Sequence, residues 1–255
     1  QVMTRRAEDF LWAAGELAAL GYPEVNLNLG CPSGTVAAKG KGAGFLAHPE
    51  ELDAFFSRVF SEAPPIRISV KTRLGIRDPE EFERLLEIYN RYPITELTIH
   101  PRVQKDFYKL PVRTESFAAV LGKCRNPVCY NGDLAAAADC AAFSARFPSV
   151  EAMMLGRGVI ADPALLRKLR GGPPASREEI AAFTDALYEG YRQAYGSAGP
   201  AAQRMKELWF YLLRLFADSE KYAGRMRRLS SPREYESLAE RIFRDLTLLD
   251  AVPEN

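Results

Sequence analysis

The sequence predicts a parallel α/β fold, a (β/α)8 TIM barrel, followed by an all-helical domain. Three observations predict it. Short apolar strands recur and each is followed by a helical pattern, at about 25–45 residues per unit. Polar and titratable residues gather at the C-terminal ends of those strands, where a barrel opens its mouth. After residue 170 the strand pattern stops and only amphipathic helices follow. An open doubly wound sheet also satisfies the first observation; the second favours the barrel.

The elements follow in order. A helix is expected over 7–20, with Leu11, Ala14, Leu17 and Ala18 on one face. The first strand spans 24–29, where Val25, Leu27 and Leu29 alternate with Asn26 and Asn28. It stops at Gly30, and Cys31 stands on a turn built by Gly30, Pro32 and Gly34. Such a thiol is either part of a catalytic edge or a buried core cysteine. Residues Gly34 to Phe45, with Lys39, Lys41 and glycines at 34, 40, 42 and 44, read as a flexible loop able to close over a ligand, or as a long connection.

Pro49-Glu50-Glu51 opens the next helix, and His48 ahead of it suits a capping or surface role. The second strand, 66–71, delivers Lys71-Thr72-Arg73. Asp78-Pro79-Glu80-Glu81 reads as N-cap, first position and acidic first turn of a helix. The third strand, 96–100, ends in His100-Pro101-Arg102. The fourth, 127–130, leads into Asn131-Gly132-Asp133, and the fifth, 152–156, into Gly156-Arg157-Gly158. Asp162-Pro163 opens another helix. Gly171-Gly172-Pro173-Pro174 reads as a linker, so 1–172 is one domain and 175–255 a second, with helices near 177–195, 201–217 and 232–249.

Composition narrows the function. Of 255 residues, 34 are Lys or Arg and 33 are Asp or Glu, so no bulk basicity advertises a nucleic-acid partner and any such surface must be local. No run of 18 apolar residues suggests a membrane span. The four cysteines lack C-x-x-C spacing and only two histidines exist, which speaks against a metal site. Cys124, Cys129 and Cys140 are expected in the core. With no secretory pattern at the start, this suits a reducing cytoplasm.

The strand ends carry the chemistry. Loops after the last two strands of a barrel commonly hold phosphate through backbone N–H groups, and glycines 132, 156 and 158 with Arg157 suit that role, or form two ordinary turns. A lysine at a strand end needs an anionic or polar partner if buried. Lys71, His100 and Arg157 together suggest a cluster that binds an anionic group. In the helical region, Arg225-Met226-Arg227-Arg228 is the densest basic spot.

The ordered series N-x-N-x-G-C-P, V-K-T-R-x-G, H-x-R, N-G-D and M-x-G-R-G resembles the tRNA-dihydrouridine synthases over about residues 1–170. Over 175–255 the likeness rests on helical content and Lys206-Glu207-Leu208-Trp209-Phe210-Tyr211. The resemblance implies an FMN-dependent enzyme that reduces the C5–C6 double bond of a tRNA uridine, with NADPH as electron donor. It implies Cys31 as the catalytic proton donor, a task a thiol suits because its ordinary pKa of about 8.5 keeps most of it protonated at neutral pH. It implies Gln1, Lys71, His100, Asn131, Gly132, Asp133, Gly156 and Arg157 as cofactor-binding residues. Asn28, Arg102, Lys206, Arg225, Arg227 and Arg228 are then substrate-binding, and tRNA is the partner. Other readings are another FMN barrel reductase of pyrimidine-like substrates, or a non-catalytic RNA-binding remnant.

One departure is expected from the resemblance. The five strands match the last five of the family's barrel, with Gln1-Val2 as a remnant of the third. The first strand, with its Ala-Pro-Met signature, and the second have no counterpart here. About 60 upstream residues are expected in a full barrel.

Overall fold

The computed structural model describes residues 1–253. It is an α/β structure with one five-stranded parallel sheet and many helices. The strands are β1 (Glu24–Leu29), β2 (Arg67–Arg73), β3 (Leu97–His100), β4 (Val128–Asn131) and β5 (Ala152–Met154). Each strand lies beside its sequence neighbour, in the order β1-β2-β3-β4-β5. The order never reverses, as it would at the switch point of a doubly wound sheet. Val2 forms a parallel bridge to Leu27 on the other edge of β1, donating to the Asn26 carbonyl at 2.8 Å and accepting from the Asn28 N–H at 2.9 Å.

The helices are α1 (Ala7–Ala19), α2 (Gly34–Ala37), α3 (Pro49–Glu62), α4 (Glu81–Tyr89), α5 (Thr114–Leu121), α6 (Ala137–Arg146), α7 (Arg157–Ala161), α8 (Leu165–Leu169), α9 (Arg177–Tyr195), α10 (Ala198–Leu212), α11 (Glu220–Arg228) and α12 (Pro232–Asp245). Two compact units result: residues 1–133 with 147–154, and residues 134–146 with 155 onward.

In the first unit, one sheet face is apolar because Leu27, Leu29, Val70, Leu97 and Ile99 alternate out of the pleat, and each is buried. Helices α1, α3 and α4 supply Phe10, Phe55, Phe56, Phe82 and Tyr89 to the same core. Their rings meet edge to face, Phe10–Phe55 at 5.7 Å and Phe56–Tyr89 at 6.0 Å, the arrangement the ring quadrupole favours.

The second unit centres on a wholly buried Trp209, surrounded by Met205, Phe216, Tyr235 and Ile242. Its indole N–H donates to the Tyr235 hydroxyl at 3.3 Å. The capping chemistry is legible. Ser176 caps α9 with a reciprocal Glu179 contact, and Ser231 caps α12 ahead of Pro232.

Three local expectations need correction. Asp78 does not cap α4; the helix starts at Glu81, whose carboxylate instead accepts the N–H groups of Ile76, Arg77 and Asp78. The segment after Cys31 is folded. It forms α2 and a 3-10 helix over Gly42–Ala47, in which Gly42 to Leu46 are buried. Cys129 and Cys140 are buried as expected, but Cys124 is only half-buried.

Candidate functional site: a pinned cysteine on a polar sheet face

The face of the sheet opposite the apolar core is polar. Parallel register sets Asn28 beside Lys71, Lys71 beside Thr98 and Thr98 beside Cys129. One layer further along, Arg73 lies beside His100. Side chains two apart on a strand share a face, so these strand-end residues form one surface.

Cys31 sits just past the end of β1, and its backbone is held from four directions. The Asn28 side-chain oxygen accepts the N–H groups of Gly30 at 3.0 Å and Cys31 at 2.9 Å. Arg73 Nε donates to the Gly30 carbonyl at 2.9 Å. Gln104 Nε2 donates to the Pro32 carbonyl at 3.0 Å. The Ala43 N–H donates to the Cys31 carbonyl at 3.0 Å. The half-exposed thiol itself has no hydrogen-bond partner among the described residues.

Gly42 backs this turn. It has φ +55°, and a Cβ there would lie 2.8 Å from the Cys31 Cβ and 2.9 Å from its carbonyl oxygen. Only glycine satisfies both demands.

The amide of Asn28 is itself oriented. Its Nδ2 donates to Gln1 Oε1 at 2.8 Å, while Gln1 Nε2 donates to Asn26 Oδ1 at 2.6 Å. Asn28 and Gln1 therefore aim the Cys31 turn.

Arg73, fully buried, is a site residue that the sequence reading does not single out. Besides Gly30 it donates to the carbonyls of Val103 at 3.0 Å and Phe107 at 2.8 Å. Its guanidinium lies 5.2 Å from the Tyr108 ring centroid. One residue thus ties the β1 turn to the loop after β3. A signal for it exists in the sequence: Arg73 shares a strand face with Lys71.

Lys71 is half-buried, and its ammonium has no hydrogen-bond partner among the described residues. Burial, with the Arg73 charge adding to it, pushes it down to about 8. Its Nζ lies 3.8 Å from where a Cβ on Gly30 would stand, so it reaches the base of the Cys31 turn.

His100 is buried, and its Nε2 lies 2.9 Å from Arg102 Nη1. A guanidinium only donates, so Nε2 accepts and the ring proton sits on Nδ1. Arg102 also grips Asp133 in a bidentate pair, at 2.9 and 2.6 Å, and donates to the Leu110 carbonyl at 2.6 Å. At 2% exposure its fork is occupied within the protein, where the sequence predicts a substrate contact. Asn131 donates to the Met154 carbonyl at 2.8 Å, tying β4 to β5. Gly132 (φ +156°) has no room for a Cβ, which would meet Val112 Cγ1 at 2.6 Å and His100 Cδ2 at 3.3 Å.

In the second unit, Gly156 is the N-cap of α7 and Arg157 its first residue. Gly158 packs against the segment after β4, since a Cβ there would meet the Leu134 carbonyl oxygen at 2.6 Å. Lys206 donates to the Leu229 carbonyl at 2.6 Å and to the Gln203 side-chain oxygen at 2.9 Å. Arg225 is half-buried, and Arg227 and Arg228 are exposed at the end of α11. Among the described residues no group of three or more His, Cys, Asp or Glu side chains is placed to hold a metal ion. No described helix is long and apolar enough to cross a membrane.

A parallel sheet with a polar face, a pinned cysteine and a half-buried lysine defines an α/β protein with an enzyme-like strand-end site. Comparison with known proteins makes this specific. The model of the dihydrouridine synthase (Dus) family matches residues 1–246, and the chain belongs to that family. A probable tRNA-dihydrouridine synthase of Staphylococcus epidermidis is 30% identical over 169 residues, 64% of this chain and 51% of the relative. The tRNA-dihydrouridine(16) synthase of Cupriavidus necator is 28% identical over 241 residues, 89% of this chain and 72% of the relative. A probable tRNA-dihydrouridine synthase of Staphylococcus aureus is 28% identical over 169 residues, 64% of this chain and 50% of the relative. The chain spans about half the length of the staphylococcal relatives it matches.

Proposed function

We propose that the chain carries the catalytic face of an FMN-dependent enzyme that reduces a uridine of tRNA to dihydrouridine, with NADPH as electron donor. The observation that carries the reading is Cys31: four backbone contacts fix its position while its thiol stays half-exposed and unpartnered. A structural cysteine needs no such mounting. The consecutive strand order supports an arc of a (β/α)8 barrel. We assign 1–172 to that catalytic part and 175–255 to a helical tRNA-binding domain. A tRNA substrate fits a cytoplasmic protein.

The polar face suits a flavin. Lys71 offers an unpartnered ammonium to the electron-rich edge of the ring, and His100 stands beside Arg73 on the same polar surface. Gln1 stands in the same polar layer as Asn28. Gly132 keeps the surface beside His100 low, and Asn131, Asp133 and Arg102 hold that loop in shape. Gly156 and Arg157 are assigned to the cofactor phosphate.

FMN, when bound, would supply the reducing hydride for the uracil double bond. The protein's part is the proton. Cys31 Sγ gives its proton to C5 as the double bond is lost, leaving a thiolate that regains a proton from solvent. Asn28, Arg73, Gln104 and Gly42 fix the Sγ position for that transfer, and a misplacement of an ångström costs about 10²-fold. The base must leave its stack to reach the site.

The test is Cys31→Ala. The variant is expected to keep bound flavin and its reduction by NADPH, while dihydrouridine formation on unmodified tRNA falls by about 10²-fold or more. Loss of flavin from the variant would make Cys31 a structural residue. A colourless wild-type chain that still binds tRNA would favour a non-catalytic RNA-binding protein.

A further inference from the structure

The loop after β3 folds back on His100. Arg102, two residues beyond it, places Nη1 2.9 Å from His100 Nε2. The same guanidinium donates to both Asp133 carboxylate oxygens, at 2.9 and 2.6 Å, and through Nε to the Leu110 carbonyl at 2.6 Å. Four of its five N–H groups are therefore used, in one rigid plane. His100 and Arg102 are both buried, and Gly132 closes on the carbon edge of the imidazole, where a Cβ would lie 3.3 Å from His100 Cδ2.

This packing constrains the charge of the ring as well as its position. A guanidinium has no lone pair to offer, so His100 Nε2 cannot carry a proton while Arg102 points at it. A histidinium would also add a cation beside Arg102 and beside Arg73, its register neighbour on β2, and those two arginines already repel each other. The elements packed against His100 bring Lys71 and Arg73 from β2, Tyr108 from the following loop, with ring centroids 6.0 Å apart, and Asp133 from the loop after β4. Asp133 is engaged by Arg102, and Asp106 in the same loop as Tyr108 is engaged by Arg113.

We propose that Arg102, anchored by Asp133, is a positioning residue that locks His100 as a neutral imidazole, so that no histidinium forms beside the flavin as pH falls. Histidine is the side chain most apt to change charge near neutrality, and charge beside a flavin ring tunes its electronics. The lock removes that variable and leaves Lys71 to set the charge on this face. Arg102 and Asp133 then act through His100, and neither needs to touch a ligand. The cofactor half of the proposal rests on the flavin reading of this face; the lock itself does not.

The chain has only two histidines, so His48→Gln leaves His100 as the sole imidazole. Long-range ¹H–¹⁵N NMR of that flavin-free chain, followed from pH 8 to pH 5, reads the protonation state and tautomer directly. His100 is expected to stay neutral throughout with its proton on Nδ1. Arg102→Met in the same background is expected to release it, so that it titrates near the ordinary imidazole value of about 6.5. FMN retention is then compared between the two chains at pH 7.5 and pH 5.5, with circular dichroism checking the fold. The variant is expected to lose at least about threefold more FMN than its parent at pH 5.5 and to be close to it at pH 7.5, because a buried histidinium must leave its place.

Titration of His100 near pH 6.5 before Arg102 is changed, or a proton on Nε2, would overturn the lock without any need for the variant to fold. A neutral His100 in the Arg102→Met chain would show that burial alone suffices and would remove the role of Arg102. Equal loss of FMN at both pH values would make Arg102 a merely structural residue. A locked His100 in a chain that takes up no FMN at any pH would overturn the flavin reading and the cofactor half of the proposal, a failure that NMR distinguishes from failure of the lock.

Discussion

Lys71 shows how a single half-buried charge opposes stability. Its ammonium is half-buried without a hydrogen-bond partner, and burial pushes it from an ordinary 10.5 down to about 8. The unfolded chain holds that proton more tightly than the folded one. Folding is therefore penalised while the lysine is charged, below pH 8, and the penalty disappears as pH rises from 8 to 10.5. Lys71→Met should raise stability at pH 7 by about 1–3 kcal/mol, with the gain shrinking toward zero near pH 10.5. Urea denaturation at pH 7 and 9.5 measures both. The same variant should retain less FMN, because the charge that costs stability is the one proposed to contact the flavin. A variant that is no more stable at pH 7 would mean that the ammonium is well solvated.

At the scale of elements, the turn after β1 and the 3-10 helix over Gly42–Ala47 form one device. The helix places Gly42 against the back of Cys31, and the Ala43 N–H holds the Cys31 carbonyl. Gly42→Ala must relieve a 2.8 Å approach at φ +55°, and the movable part is the Cys31 turn. The expected result is flavin reduction near the wild-type rate and dihydrouridine formation down by more than about tenfold. Stopped-flow reduction and tRNA nucleoside analysis separate the two. Equal loss of both would show that the change unfolds the loop.

The strands are legible in the sequence because alternation of Val25, Leu27 and Leu29 with Asn26 and Asn28 is a local signal, and β1 spans Glu24–Leu29 as expected. Helix α9 is equally legible, spanning Arg177–Tyr195 where a helix near 177–195 is expected. The loop is not. Glycines at 40, 42 and 44 look like flexibility in sequence, yet two of them are demanded by close packing, Gly42 on Cys31 and Gly44 on Ala37. A short side chain required by contact and one tolerated for mobility read the same. Similarly, Lys206 and Arg102 read as ligand-facing cations. Their donors close onto Leu229 and Asp133, partners 23 and 31 residues away that no local pattern reveals.

Across the whole chain, the four cysteines divide into one whose thiol is half-exposed and unpartnered and three whose thiols burial shifts upward. Burial pushes the thiols of Cys124 and Cys129 up to about 11, and that of Cys140 upward as well. At pH 8 a thiol of pKa 11 is thiolate in only about one molecule per thousand, so it reacts slowly even where reagent can reach it. Cys124 is the informative case, because its exposure class is the same as that of Cys31. Its sulfur lies against the Val120 carbonyl at 3.4 Å, whereas the Cys31 thiol is unpartnered. Brief treatment of the folded chain with iodoacetamide at pH 8, followed by peptide mass spectrometry, should therefore find Cys31 alkylated at least about tenfold faster than any other cysteine. In guanidinium chloride the four rates should converge, since the difference comes from the fold rather than from neighbouring sequence. Addition of FMN and unmodified tRNA should then protect Cys31 alone. Faster labelling of Cys124 than Cys31 in the folded chain would contradict the placement of Cys31 on an accessible reactive edge.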